Sequence, residues 1–127
     1  MKNIIVFLLL SLLSLSVSAQ DKKGELKLDT YSYNFGTVKR NTVRSVVFVI
    51  KNTGKAPVVI QSADAACACT NVSYTLSPIK PGKKGYIKVW FYSAKFGSGT
   101  FNKTVDVRSN ASNGIIRLSI CGKVATR

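Results

Sequence analysis

Three cysteines are the most reactive residues of this 127-residue chain, and two of them stand one residue apart. Cys67 and Cys69 flank Ala68 in the motif C-A-C-T, whereas Cys121 lies near the end of the chain. Two thiolates are enough to bind Cu(I), a soft ion that prefers sulfur ligands. Structural zinc takes four Cys or His ligands, and because the chain has no histidine, zinc would need a carboxylate such as Asp64. The metal hypothesis is therefore Cu(I) at Cys67 and Cys69.

The same cysteines are also candidates for a disulfide, with one thiol left over. In an extended strand, Cys67 and Cys69 project from one face, but their sulfur atoms reach bonding distance only if the chain bends between them. A bridge from either residue to Cys121 is the alternative, and it would close a long loop. The sequence leaves both pairings open.

The sequence contains few residues that could act in catalysis. The chain lacks histidine, which is the commonest general base and the usual partner of serine and cysteine nucleophiles. The acidic residues are Asp21, Glu25, Asp29, Asp64 and Asp106. No two of them suggest a catalytic dyad, and no glycine-rich phosphate loop is present. We therefore expect no enzymatic activity.

A possible contact surface lies between residues 86 and 92, where apolar and mixed side chains alternate as in a strand with one buried face. The outward positions are Tyr86, Lys88, Trp90 and Tyr92. An aromatic surface rimmed by polar groups can mark a binding site for a protein or a carbohydrate. The alternative is that a loop or a chain end covers the row, because large aromatic side chains usually find cover.

Short β-strands must position these residues, because the chain after residue 20 shows period-two alternation and no helical period. The clearest signal is residues 43–60, where a strand, the turn residues 52–55 and a second strand opened by Pro57 predict a hairpin. The apolar residues occupy even-numbered positions before Asp29 and odd-numbered positions after it. This change predicts a bulge or a crossing between sheets. Seven short strands predict an immunoglobulin-like β-sandwich. The predicted core consists of Phe48, Ile50, Val58, Ile60, Ile87, Val89, Phe91, Val105, Val107, Leu118 and Ile120.

The first nineteen residues have the features of a signal peptide. A short basic start, an apolar run over residues 4–15 and the small residues before position 20 fit a cleavable segment. The run is shorter than the about 20 apolar residues of a transmembrane helix. We expect cleavage between Ala19 and Gln20, one sandwich domain over residues 20–127 with no transmembrane segment, and a secreted or periplasmic location.

The mature chain is strongly basic. Cleavage removes one lysine and leaves 18 basic and 5 acidic residues, a net charge of +13. Such a balance favours anionic surfaces, including acidic glycans and the cell envelope, although a solvated surface without a partner is the alternative. The basic residues are scattered along the chain and no nucleic-acid-binding motif is present, so nucleic acid is not an expected partner.

A set of short motifs covers nearly the whole mature chain: Y-N-F-G at 33–36, K-N-T-G-K-A-P at 51–57, C-A-C-T at 67–70, P-I-K-P-G at 78–82, I-K-V-W-F at 87–91, S-N at 109–110 and the final Gly122. In this order they resemble a family of secreted bacterial proteins of unknown function with a C-G-C-T signature. The resemblance implies a Hydin-type immunoglobulin-like domain, similar in shape to major sperm protein and pilus chaperones, and it implies export but no activity. Ala68 replaces the family's glycine, which would strain the loop if that position needs a positive φ. Cys121 lies outside the pattern.

The sequence thus predicts an exported, non-catalytic, immunoglobulin-like module that acts by binding or assembly on a protein or an envelope glycan. The alternative is a thiol-based Cu(I)-binding or redox protein that uses Cys67 and Cys69. Neither hypothesis favours an oligomeric state.

Overall fold

The computed structural model describes residues 23–126, and within that range the chain is almost entirely β-structure. The predicted signal peptide and its cleavage site lie outside the described residues. The elements are β1 (Leu26–Leu28), β2 (Ser32–Val38), β3 (Val43–Asn52), β4 (Ile60–Ala65), β5 (Thr70–Tyr74), β6 (Lys84–Tyr92), α1 (Ser93–Phe96), β7 (Gly99–Ser109) and β8 (Ile115–Val124). Over residues 23–126, no helix is long and apolar enough to cross a membrane.

The strands form two four-stranded sheets that pack against each other. The first sheet has the order β1-β3-β6-β5 and is antiparallel, and the second has the order β2-β8-β7-β4, with β2 parallel to β8. The predicted immunoglobulin-like sandwich is confirmed, with eight strands rather than seven. The additional strand arises near Asp29, where the sequence predicts a bulge or a crossing between sheets, because β1 ends at Leu28 in one sheet and β2 begins at Ser32 in the other.

The predicted hairpin over residues 43–60 is wrong. β3 pairs with β1 and β6, whereas β4 pairs with β7 in the opposite sheet, so residues 53–59 cross between the sheets. Ile50 and Ile60 are both buried because each points inward from its own sheet. Alternation cannot distinguish this arrangement from a hairpin, since both bury every second residue.

The eleven predicted core residues are all buried, each with 4% or less of its surface exposed. The rings of Phe91, near the end of β6, and Phe101, near the start of β7, stack with their centroids 3.9 Å apart. The two sheets therefore meet through aromatic contact, and burial of their apolar faces drives their association.

One buried amide joins three segments at one end of the sandwich. Asn52, at the end of β3, donates from Nδ2 to the carbonyls of Ala56 (2.7 Å) and Ile79 (2.8 Å). Its Oδ1 accepts from the N–H groups of Glu25 (3.2 Å) and Gly54 (2.9 Å). The side chain is fully buried, so these bonds satisfy its polar atoms and fix the crossover against β1 and the loop before β6.

A second amide holds the three-residue strand β1. Asn113, in the turn between β7 and β8, accepts from the N–H of Leu26 (3.1 Å) and donates to the carbonyl of Leu26 (2.7 Å). A neighbouring strand would bond the same two groups. Asn113 therefore supplies the pairing that β1 lacks on the side away from β3.

The connection between β6 and β7 begins with the single helical turn α1. Ser93 is buried, and its hydroxyl accepts from the N–H of Thr42 (2.9 Å) and lies 2.8 Å from the carbonyl oxygen of Lys39. These contacts fasten the loop between β2 and β3 to the end of β6.

Candidate functional site

The two cysteines of the C-A-C-T motif lie in the loop that leads from β4 in the second sheet to β5 in the first, and Thr70 begins β5. Cys67 and Cys69 are joined by a disulfide, with Cys69 fully buried and Cys67 partly buried. The N–H of Thr70 donates to the Cys67 carbonyl (3.1 Å), and the N–H of Tyr92 donates to the Cys69 carbonyl (2.7 Å). The loop is therefore fastened to the end of β6.

The structure contains the local pairing and leaves Cys121 as a free thiol. Cys121 lies on the outer face of β8, between Asn34 of β2 and Asn102 of β7. Ala68 needs no positive φ, since Asn41 is the only non-glycine residue between 23 and 126 that has one. The departure from the family's glycine therefore introduces no strain of that kind.

The disulfide limits what the cysteine loop can do chemically. Thiolates are the sulfur ligands of metals, so Cu(I) at Cys67 and Cys69 would require prior reduction. Asp64, the carboxylate that zinc would need, lies with its Oδ2 3.9 Å from Arg108 Nε. Within the described range, no three Cys, Asp or Glu side chains are close enough to hold a metal ion. Metal binding thus stays a hypothesis for the reduced protein.

The predicted aromatic row lies on the outer face of the first sheet, along β6. Tyr86 is 45% exposed, and Trp90 and Tyr92 are half-buried. Lysine side chains provide part of the cover, since Lys88 Nζ lies 4.8 Å from the centroid of the Trp90 ring and Lys95 Nζ lies 5.2 Å from that of Tyr92. The row therefore remains at the surface, with ammonium groups in cation–π geometry over two of its rings.

Sequence reasoning missed a row of valines beside the aromatic residues. Val43, Val47 and Val49 of β3 are between 50 and 55% exposed. Val49 lies opposite Tyr86, and Val43 lies opposite Tyr92. The sequence could have indicated this row, because both faces of β3 carry branched apolar side chains and only one face can lie against the core. We define the β3–β6 face as Val43, Val47, Val49, Tyr86, Trp90 and Tyr92.

Three lysines form a line across one end of the same sheet surface. Lys27 of β1 lies opposite Lys51 of β3, and Lys51 lies opposite Lys84 of β6. All three are exposed, and none takes part in an ion pair with another described residue. Residues directly opposite each other have Cβ atoms about 5 Å apart, so strand pairing gathers lysines that are scattered in the sequence. We call this set the lysine row, and it adjoins Val49 and Tyr86.

The outer face of the second sheet is different, because two of its arginines lie beside carboxylates. Arg117 Nε donates to Asp106 Oδ1 (2.8 Å), and Arg108 lies near Asp64. The hydrogen bond from Arg117 lowers the pKa of Asp106 below its ordinary value, and the same bond raises the pKa of Arg117. The lysine row has no comparable pairing with any residue that the structure describes.

Residues 26–124 match the model of a family described as proteins of unknown function, DUF1573. The chain belongs to this family. The resemblance indicated by the sequence motifs is thereby confirmed. No curated protein is significantly similar to the chain in sequence.

Solved structures with the same fold share little sequence with this DUF1573 chain. A protein of unknown function from Porphyromonas gingivalis superposes with a TM-score of 0.72 at 14% identity, over 84% of this chain and 50% of that one, so this chain spans half the length of that protein. The PapD-like domain 7 of human CEP192 gives 0.69 at 11% identity, over 88% and 93%. Domains 4 and 5 of the S-layer protein SbsC give 0.52 at 13% identity, over 83% and 48%. At these identities the likeness shows the fold alone.

Proposed function

We propose that this protein is an exported, non-catalytic module that acts by binding or assembly, and that the β3–β6 face contacts its partner. The observation that carries the proposal is the exposure of Val43, Val47 and Val49 beside Tyr86 on one sheet surface. Single apolar side chains are normal on protein surfaces, but a contiguous apolar patch with a polar rim marks an interaction site.

The dimensions of the patch suit the centre of a protein interface. Val43 to Val49 covers about 20 Å along β3 at about 3.4 Å per residue, and the aromatic row runs beside it on β6. A standard interface buries about 800 Å² of each partner and has an apolar centre within a polar rim. Lys51 and Lys84 supply such a rim at one end of the patch, and Lys88 lies beside Val47 within it.

The side chains of this face favour a protein partner over a glycan. Carbohydrates bind aromatic residues by stacking on a free ring face, and the Lys88 and Lys95 ammonium groups lie over the rings of Trp90 and Tyr92. Exposed valines offer no ring for a sugar, but they gain from burial against apolar side chains. We therefore propose that the partner is a protein.

The other parts of the proposal rest on the sequence. The absence of histidine and the lack of a carboxylate dyad support a non-catalytic role. Export rests on the signal-peptide features of the first nineteen residues.

Site-specific photo-cross-linking tests the proposal. A photoreactive phenylalanine analogue replaces Val47 in one variant and Thr104 in the other. Both positions are exposed on central strands, but Thr104 lies on the outer face of the second sheet. In cells that produce the protein natively, we expect a discrete cross-linked product from position 47 and none from position 104. A product from position 104 alone, or equal products, would contradict the choice of face, and no product from either would contradict the existence of a partner.

A further inference from the structure

We infer that the partner presents carboxylates to the lysine row, so that the β3–β6 face binds an acidic protein surface. This inference rests on the proposed function and names the chemistry of the partner. Its basis is the juxtaposition of three lysines that form no ion pair with any described residue, Lys27, Lys51 and Lys84, with one end of the exposed valine and aromatic rows.

Backbone pairing sets the position of the lysine row. The registers of β1 with β3 and of β3 with β6 place each lysine directly beside the next. The hydrogen bonds of Asn52 and Asn113 hold the strand ends on which Lys27 and Lys51 lie. The three lysines line a shallow cavity of about 250 Å³ together with Val49 and Asp29. A partner's carboxylate in this cavity would meet three ammonium groups beside an apolar surface.

The lysine row is unfavourable for the isolated fold. Like charges directly opposite each other on neighbouring strands destabilise a sheet. Among residues 23–126, Asp29 is the only carboxylate that lines the cavity, and it forms no ion pair with the three lysines. A stability loss of this kind is expected where a surface serves binding, and a partner's carboxylates would relieve the repulsion.

The charge pattern argues against a second copy of the chain as the partner. The mature chain carries a net charge of +13. Over the outer surface of β1, β3 and β6, the described strand residues include no acidic side chain, and Asp29 is the only described carboxylate in the cavity beside the lysine row. Two copies placed face to face would therefore bring six lysines together with only two carboxylates. An acidic protein surface with an apolar centre is complementary to both features, and charge complementarity sets specificity and association rate.

Binding to two defined polyanions tests the inference. A random copolymer of glutamate and tyrosine presents carboxylates and apolar rings on a polypeptide, and polygalacturonate presents carboxylates on a glycan. Lys51→Gln removes the central charge of the row and keeps most of the side-chain stem. Lys123→Gln is the matched control, because Lys123 is an exposed β8 residue whose strand neighbours are Thr37 and Thr100. Val47→Ser tests the apolar part of the face.

We expect Lys51→Gln to weaken copolymer binding about two- to fivefold at low salt, as for the loss of an exposed ion pair. The difference should shrink at physiological salt because screening is stronger. Lys123→Gln should bind as the wild type does, and polygalacturonate should bind more weakly than the copolymer and without dependence on Val47.

Four binding results would overturn the inference in different ways. Equal losses in Lys51→Gln and Lys123→Gln would indicate diffuse charge rather than a site. Polygalacturonate binding as strong as that of the copolymer, with the same dependence on Lys51, would indicate a glycan partner. Copolymer binding that depends on Val47 but not on Lys51 would contradict the inference but not the proposed function. Copolymer binding that depends on neither residue would contradict both the inference and the proposed function.

Thermal unfolding gives a readout that does not depend on any ligand. Because Lys51 has a like charge on both sides, Lys51→Gln should raise the melting temperature by about 1–4 °C at low salt. The rise should disappear at high salt, and Lys123→Gln should show none. A lower melting temperature for Lys51→Gln would contradict the repulsion on which the inference rests.

Discussion

The buried amide of Asn52 allows a stability change to be worked out from the structure. Asn52→Ala removes four hydrogen bonds with lengths from 2.7 to 3.2 Å. The Ile79 carbonyl keeps the N–H of Val58 as a partner. The N–H groups of Glu25 and Gly54 and the carbonyl of Ala56 lose the hydrogen bonds that the side chain supplied. A net hydrogen bond contributes about 1 kcal/mol and a buried unpaired group costs about 1–3 kcal/mol, so the variant should lose about 3–5 kcal/mol.

Urea unfolding followed by the fluorescence of Trp90, the single tryptophan, measures this loss. Asn102→Ala is the matched control, because Asn102 is exposed on β7 and its side chain bonds no other described residue. The control should stay within about 0.5 kcal/mol of the wild type. A loss below about 1 kcal/mol in Asn52→Ala, where a buried hydrogen-bond network should cost more, would refute the anchoring role of the amide.

Asn52→Asp separates hydrogen bonding from side-chain size. It keeps the accepting oxygen but turns the second oxygen toward the carbonyls of Ala56 and Ile79, where Nδ2 donates in the wild type. The pKa of this carboxyl should lie above its ordinary value, because burial and the facing carbonyls disfavour the charge. Relative to the wild type, the variant should therefore be most stable below the unfolded-state pKa and lose stability as pH rises through the folded-state pKa. The opposite pH dependence would contradict the geometry.

Two further predictions concern the cysteines and an exposed ion pair. Alkylation of the unfolded, unreduced protein should modify Cys121 alone, and peptide mapping should find Cys67 bridged to Cys69. A peptide that joins either residue to Cys121 would show a different pairing. Arg117→Gln should raise the pKa of Asp106, measured by NMR titration, because the hydrogen bond that lowers it is lost. A lowered pKa stabilises the fold above the unfolded-state pKa, so any advantage of the wild type over Arg117→Gln should vanish in acid, and an unchanged titration would argue against the bond.

The core and the fold class could be predicted because burial of every second residue is a local property of each strand. Strand partners are not local, and so the sequence predicts one hairpin that contains Ile50 and Ile60, although these residues point inward from opposite sheets. The same limit applies to the surface. The aromatic row lies within one strand and was predictable, whereas the lysine row exists only through the registers that bring Lys27, Lys51 and Lys84 together.

Hydroxyl-radical footprinting of two tyrosines tests most directly whether the β3–β6 face is a contact surface. Tyr86 on β6 is 45% exposed, and Tyr31, which precedes β2, is 44% exposed. In the isolated protein we therefore expect similar oxidation of the two rings. In cells that produce the protein natively, Tyr86 should be protected while Tyr31 stays reactive. Equal oxidation of both rings in those cells, or protection of Tyr31 alone, would contradict the assignment of the β3–β6 face as the binding surface.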